Sequence, residues 1–222
     1  MKPYRPTSGP YREALHFETH EIETICTDAL ANEQLLPTTP SPIRIDRFIT
    51  KHFHIDPTYE DLPTDRLGYT DFNAKGQVIK LALSKALGED TRTTARRRER
   101  TTIAHEAGHG LLHAILHIDT GQTSMLPTPP AEREMCRDTD IATRKSYKWY
   151  EYQANLAIGG LLLPKQLAMS ALAPHLTTNR LGATILTDNH ATAAVESLAE
   201  IFDVNPIVAK IRIETLLNIS IK

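Results

Sequence analysis

Two histidines four positions apart, with a glutamate directly after the first, stand in the run His105-Glu106-Ala107-Gly108-His109. The surrounding apolar spacing predicts a helix over residues 102–116. Four positions is just over one helical turn, so both imidazoles project from one face and can hold one Zn²⁺. Glu106, beside the first ligand, can reach a water at that ion and act as general base. Such a site needs a third protein ligand, with water keeping the fourth position open. One helix further on lies Tyr150-Glu151-Tyr152-Gln153-Ala154-Asn155. Glu151 and Asn155 share a helix face. Glu151 can complete a His₂Glu set, and Asn155 can accept from the free ring N–H of a ligand histidine, fixing its tautomer. Singly, each of these residues reads as a solvated side chain on a helix surface; the combined spacing favours the metal.

Hydrolysis also needs a donor for the developing oxyanion. Tyr147, Tyr150, Tyr152, His113, His175 and His190 are candidates, and the sequence does not choose among them. His113 and His117 continue the four-residue series from His109. The expectation for His113 is packing or hydrogen bonding near the helix end, not metal ligation.

The elements that must position these residues are legible as periodicities. Apolar spacing predicts a helix over 13–36, ended by the proline-rich run 37–42, and a second helix over 43–54. Residues 59–61, 67–72 and 77–83 read as strands, with turn chemistry at 73–76, together forming a small antiparallel sheet. Residues 88–100 are charged. Residues 121–144 form a polar, proline-rich connection. Helices follow over 147–160, from Pro164 to Leu172, and over 190–202 and 205–217. The expected organisation is an N-terminal helix and linker over 1–40, a catalytic domain over 41–175 and a helical, helix-turn-helix-like region over 176–222.

At 222 residues with 41% hydrophobic content, the chain can bury a real core. A net charge of −2 argues against attachment to nucleic acid by bulk charge. Cys26 and Cys136 form neither a CxxC pair nor a Cys-His cluster, so no disulfide framework or zinc knuckle is indicated. The first residues lack the apolar segment of a signal peptide and the longest apolar run is too short to span a bilayer, which leads us to expect a soluble cytoplasmic protein.

Arg98-Glu99-Arg100-Thr101-Thr102-Ile103-Ala104, the HEAGH run, and Gly110-Leu111-Leu112-His113 resemble the signature around the active-site helix of the ImmA/IrrE metallopeptidases. Glu151 to Asn155, followed by Leu161-Leu162-Leu163-Pro164, resembles that family's second metal motif. The strand Val78-Ile79-Lys80-Leu81 and the closing run from Leu198 to Asn205 are similar to family segments too. The resemblance covers about residues 40–217. It implies an α+β, zincin-like domain with a gluzincin site: His105, His109 and Glu151 as zinc ligands, Glu106 as catalytic base and Asn155 supporting a ligand from behind. It further implies an endopeptidase that cuts one partner, often a helix-turn-helix transcriptional repressor. Some positions depart from the pattern. Gln153 replaces a glutamate but points elsewhere on the helix, so the ligand set survives; Thr102 replaces a phenylalanine, and Ala157-Ile158 replaces Phe-Ala at similar total volume. The stretch between the two motifs is long for the family, and 119–145 reads either as a substrate-gating loop near the cleft or as a surface insertion, the second being favoured.

Rival readings come from other classes. One is a DNA- or protein-binding regulator whose zinc is structural or sensory; another is a component of a toxin–antitoxin-type module. The run Arg96-Arg97-Arg98-Glu99-Arg100 invites a nucleic-acid reading, but it lacks interleaved aromatics and reads as a solvated approach to a helix. A recognition helix within 195–217 would carry Lys210, Arg212 and Glu214, a thin basic supply. Helices that cap the peptidase core or present a partner surface are favoured over DNA binding.

Overall fold

Val78 to Ser84 is the strand most strongly marked by its residues, and it takes the most protected place in its sheet. The computed structural model describes residues 2–4, 14–118, 134–137, 149–178 and 184–221. Its principal sheet has the order β3-β5-β4-β6, formed by Thr58–Glu60 (β3), Arg66–Phe72 (β4), Val78–Ser84 (β5) and Glu134–Arg137 (β6). Leu81, Ala82 and Leu83 are consecutive and all buried, the pattern of a strand covered on both faces. The β4–β5 hairpin turns on Asn73, whose Oδ1 accepts from the N–H groups of Lys75 and Gln77 at 2.9 and 3.0 Å.

The sheet is mixed, not antiparallel throughout. β4 pairs antiparallel with β5 and with β6, but β3 runs parallel to β5. The tight hairpin gives one edge of β5 to β4, and β6 takes the outer edge of β4, so β3 pairs at the remaining edge of β5. The strand β6 comes from within the stretch read as an insertion, so that stretch contributes to the sheet; the rest of 119–145 lies outside the described residues, as does Tyr147.

Helix α1 is shorter than its periodicity suggested, Thr19–Asn32. The residues before it, Ala14–His16 (β2), pair antiparallel with Lys2–Tyr4 (β1) instead. The helix starts where the Glu18 N–H donates to the Glu21 carboxylate at 2.9 Å. The second predicted helix is a short α-turn, Ile45–Phe48 (α2), that widens into a π-turn over Ile49–Phe53. A five-residue helix, Lys85–Glu89 (α3), follows β5.

Helix α4 runs over Thr93–His113, so the charged segment before the HEAGH run is its first half and not a separate approach. Arg97 and Arg100 explain why that segment is ordered. Arg97 donates to Asp203 at 2.9 Å, and Arg100 donates to the backbone oxygens of Asp203 and Ile43 at 3.1 and 3.0 Å. The arginine run therefore ties α4 to the C-terminal helices. From Thr101 to Gly110 every residue of α4 is buried, because the sheet covers one side and helix α5, Trp149–Leu162, covers the other.

The chain continues through Lys165–Leu172 (α6), the hairpin of Leu176–Thr178 (β7) with Thr184–Leu186 (β8), Asp188–Ile201 (α7) and Pro206–Leu217 (α8). One hydrophobic cluster joins Cys26 and Leu30 of α1, Ala104 and Ala107 of α4, Leu161 of α5, Leu198 of α7 and Ile213 of α8. The architecture is thus mixed α+β, with a helical core against one small sheet. Among the described residues no single helix is long and apolar enough to cross a membrane.

Candidate metal centre

Gly108 lets α4 and α5 meet. A Cβ at Gly108 would lie 2.8 Å from Ala157 Cβ and 3.2 Å from Ala154 Cα, closer than packed carbons tolerate. With both partner positions also small, the helices approach closely, and Glu151 and Asn155 of α5 come within reach of α4. His105 Nε2 lies 3.1 Å from Glu151 Oε2 and 3.0 Å from His109 Nε2, while His109 Nε2 is 3.7 Å from the same carboxylate oxygen. The three residues are buried, and their donor atoms lie within 4.8 Å of one another.

Hydrogen bonds on the far side of each ring decide what the near side offers. His105 Nδ1 is 3.0 Å from Asn155 Oδ1. With the asparagine oxygen accepting, Nδ1 carries the proton and Nε2 presents a lone pair. His109 Nδ1 is 3.0 Å from His113 Nδ1, and His113 Nε2 is 3.0 Å from Gln153 Oε1. Two imidazole nitrogens and a carboxylate oxygen therefore converge in a buried space, and that donor set fits a metal cation. Burial alone would raise the Glu151 carboxyl, but its bonds to His105 and His109 outweigh this and hold it below the usual carboxylate range.

Glu106 leaves α4 toward the sheet. The Thr70 hydroxyl, on β4, donates to Glu106 Oε2 at 2.8 Å. Glu106 Oε1 is buried and has no hydrogen-bond partner among the described residues. Burial pushes this carboxyl up to about 7 from an ordinary 4.5, against the lowering influence of His105, His109 and Thr70. Gly68 provides the room: a Cβ there would lie 2.9 Å from the Ala82 carbonyl oxygen and 3.2 Å from Glu106 Oε1.

Of the proposed oxyanion donors, Tyr150 and His113 reach the histidine set, the Tyr150 ring centroid standing 6.2 Å from that of His109. Tyr152 is 46% exposed, His190 is exposed on α7, and His175 follows α6; Tyr147 lies outside the described residues. His113 is fully buried and bonded to His109, as a packed or hydrogen-bonded residue would be, and it is not among the clustered donors. Thr70 and Gln153 carry contacts that sequence reasoning missed. A polar residue two positions from Glu151 on a helix that also carries Asn155 was the available signal for Gln153; none existed for Thr70.

A cavity of about 520 Å³ lies between α5 and α8, bordered by Tyr152, Asn155, Gly159 and Ile211. Neither Glu106 nor any of the three clustered donors lines it. No family model matches the chain, and no curated protein is significantly similar to it.

Proposed function

We propose that the protein is a zinc-dependent endopeptidase with a zincin-like site of the ImmA/IrrE kind, acting on one specific regulatory protein such as a helix-turn-helix repressor. The observation that carries this reading is the pairing of a convergent His₂Glu donor set with a buried carboxylate next to it that has one oxygen unengaged. The donor spacings of 3.0, 3.1 and 3.7 Å suit zinc, since tetrahedral bonds of about 2.0–2.2 Å put ligand atoms roughly 3.3 Å apart. Held by His105, His109 and Glu151, Zn²⁺ would supply Lewis acidity toward a scissile carbonyl and lower the pKa of water.

The chain's own residues supply the proton chemistry. Glu106 takes a proton from the attacking water at Oε1, while Thr70 holds Oε2 in place. A buried carboxylate with Oε1 unengaged can accept that proton and return it to the departing amine nitrogen. Asn155 and His113 keep the two histidine rings turned with Nε2 toward the donor cluster. A structural zinc site has no use for such a base, which weighs against a regulator with a purely structural or sensory metal. Arg212 weighs against DNA binding through α8, because it is 3% exposed and paired with Glu23.

The test uses Glu106→Gln, which keeps shape and removes the base. We expect the variant to retain about one zinc per chain by elemental analysis, and to lose cleavage of a helix-turn-helix repressor that the wild type cuts by at least about 100-fold. Equal cleavage by the variant would remove Glu106 from the mechanism. Rapid digestion of casein by the wild type, with no preference for that repressor, would remove the narrow specificity.

A further inference from the structure

A buried polar chain runs from the metal centre to the N-terminal strand, and only its inner members, His109 and His113, entered the proposed chemistry above. Its four members are His109, His113, Gln153 and the backbone carbonyl of Leu15. Gln153 Nε2 donates to the Leu15 oxygen at 2.6 Å. A carbonyl only accepts, so the orientation of the Gln153 amide is fixed and Oε1 must face His113. His113 Nε2, 3.0 Å from that oxygen, must then carry its proton. In a neutral His113 this leaves the lone pair on Nδ1, 3.0 Å from His109 Nδ1. His109 therefore donates from Nδ1, and its Nε2 is bare.

Each step follows from the one before, and the chain is closed at its outer end by an atom that cannot change its role. We infer that His113 and Gln153 are positioning residues for the metal centre, forming with the Leu15 carbonyl a relay that holds His109 in its Nδ1–H tautomer. The inference rests on reading His105, His109 and Glu151 as a metal site. A neutral histidine side chain in water prefers the Nε2–H tautomer, which here would turn an N–H toward the metal. The relay removes that competing form before the ion arrives. His105 reaches the same state by a shorter route, through Asn155 alone. The two ligands are thus oriented from different parts of the chain: His105 from α5 only, and His109 from α5 and β2 together. Burial keeps water from substituting for any member, since His109 and His113 are fully buried and Gln153 is 4% exposed.

The experiment uses the full-length, ¹⁵N-histidine-labelled protein, with and without Zn²⁺. An N–H···N bond transmits a scalar coupling, so a coupling between the Nδ1 atoms of His109 and His113 is expected in the wild type. Zinc affinity is measured separately by competition with a chromophoric chelator, and thermal melts check that each variant is folded. Gln153→Leu and His113→Phe should each weaken zinc binding by roughly 10–100-fold, and Gln153→Leu should abolish the coupling. Gln153→Glu still accepts from His113 Nε2, so it should keep the coupling and bind zinc more tightly than Gln153→Leu. Folded Gln153→Leu with wild-type zinc affinity would overturn the relay, and so would a wild type without the coupling. A wild type that shows the coupling yet binds no zinc would instead overturn the metal reading and leave the hydrogen-bond chain standing.

Discussion

Glu106 is held in a place where its charge is expensive and its proton useful. Desolvation raises its pKa, and one hydroxyl bond from Thr70 only partly offsets this. The consequence for stability has a definite sign in the metal-free protein. The folded carboxyl titrates near 7 and its ordinary value is 4.5. Between those values the folded state holds this proton more tightly than the unfolded chain does, so the contribution of Glu106 falls as pH rises. Glu106→Gln removes that dependence. Its stability relative to wild type should therefore increase between about pH 4 and about pH 8, as thermal melts of chelated samples will read. A difference independent of pH would mean that Glu106 titrates normally in the fold. Glu151 is shifted the other way, below this pH window, so its own titration does not enter the comparison.

At the scale of elements, the site depends on how closely α4 approaches its two neighbours. Gly108 sets the distance to α5 and Gly68 the distance to β4. Gly108→Ala places a methyl 2.8 Å from Ala157 Cβ, with helix backbone behind it. The helices must separate, at a cost of about 1–3 kcal/mol in urea melts. Because His105 and Glu151 sit on opposite sides of that contact, zinc affinity should fall too. Full affinity in the variant would show that the site absorbs the shift. The same contact explains what the sequence disclosed. Residue pairs at helical spacing are local patterns, so the candidate ligands His105, His109 and Glu151, and Asn155 behind His105, were readable from position alone. Thr70 meets Glu106 from a strand, and Leu15 meets Gln153 from another, and no periodicity links either pair. The sheet order was hidden for the same reason: the periodicity of residues 58–60 marks a strand but not its partner or direction. The start of α4 was hidden because Arg97 and Arg100 look solvated until Asp203 is known to face them.

Across the whole molecule, the first and last helices are joined through an ion pair whose arginine is buried and whose glutamate is partly buried. Arg212 of α8 is 3% exposed; its Nη2 donates to Glu23 of α1 at 2.8 Å, and its Nε donates to the Leu163 carbonyl at 2.9 Å. The fold thus closes around α5, with α1 and α8 meeting at its C-terminal end. A pair this deep need not add net stability, since desolving both charges opposes their attraction. Removing Arg212 is different, because it leaves the partly buried Glu23 carboxylate uncompensated. Arg212→Met should cost roughly 3–5 kcal/mol in chemical denaturation. Adding Glu23→Met removes the stranded charge and should restore much of that loss. Full recovery is not expected, because the Leu163 carbonyl still lacks the guanidinium donor. The proposed ligands His105, His109 and Glu151 are untouched in either variant, so zinc bound per folded chain should stay constant. A double variant as unstable as Arg212→Met alone would locate the role of the arginine in its packing and its bond to Leu163, with Glu23 a bystander.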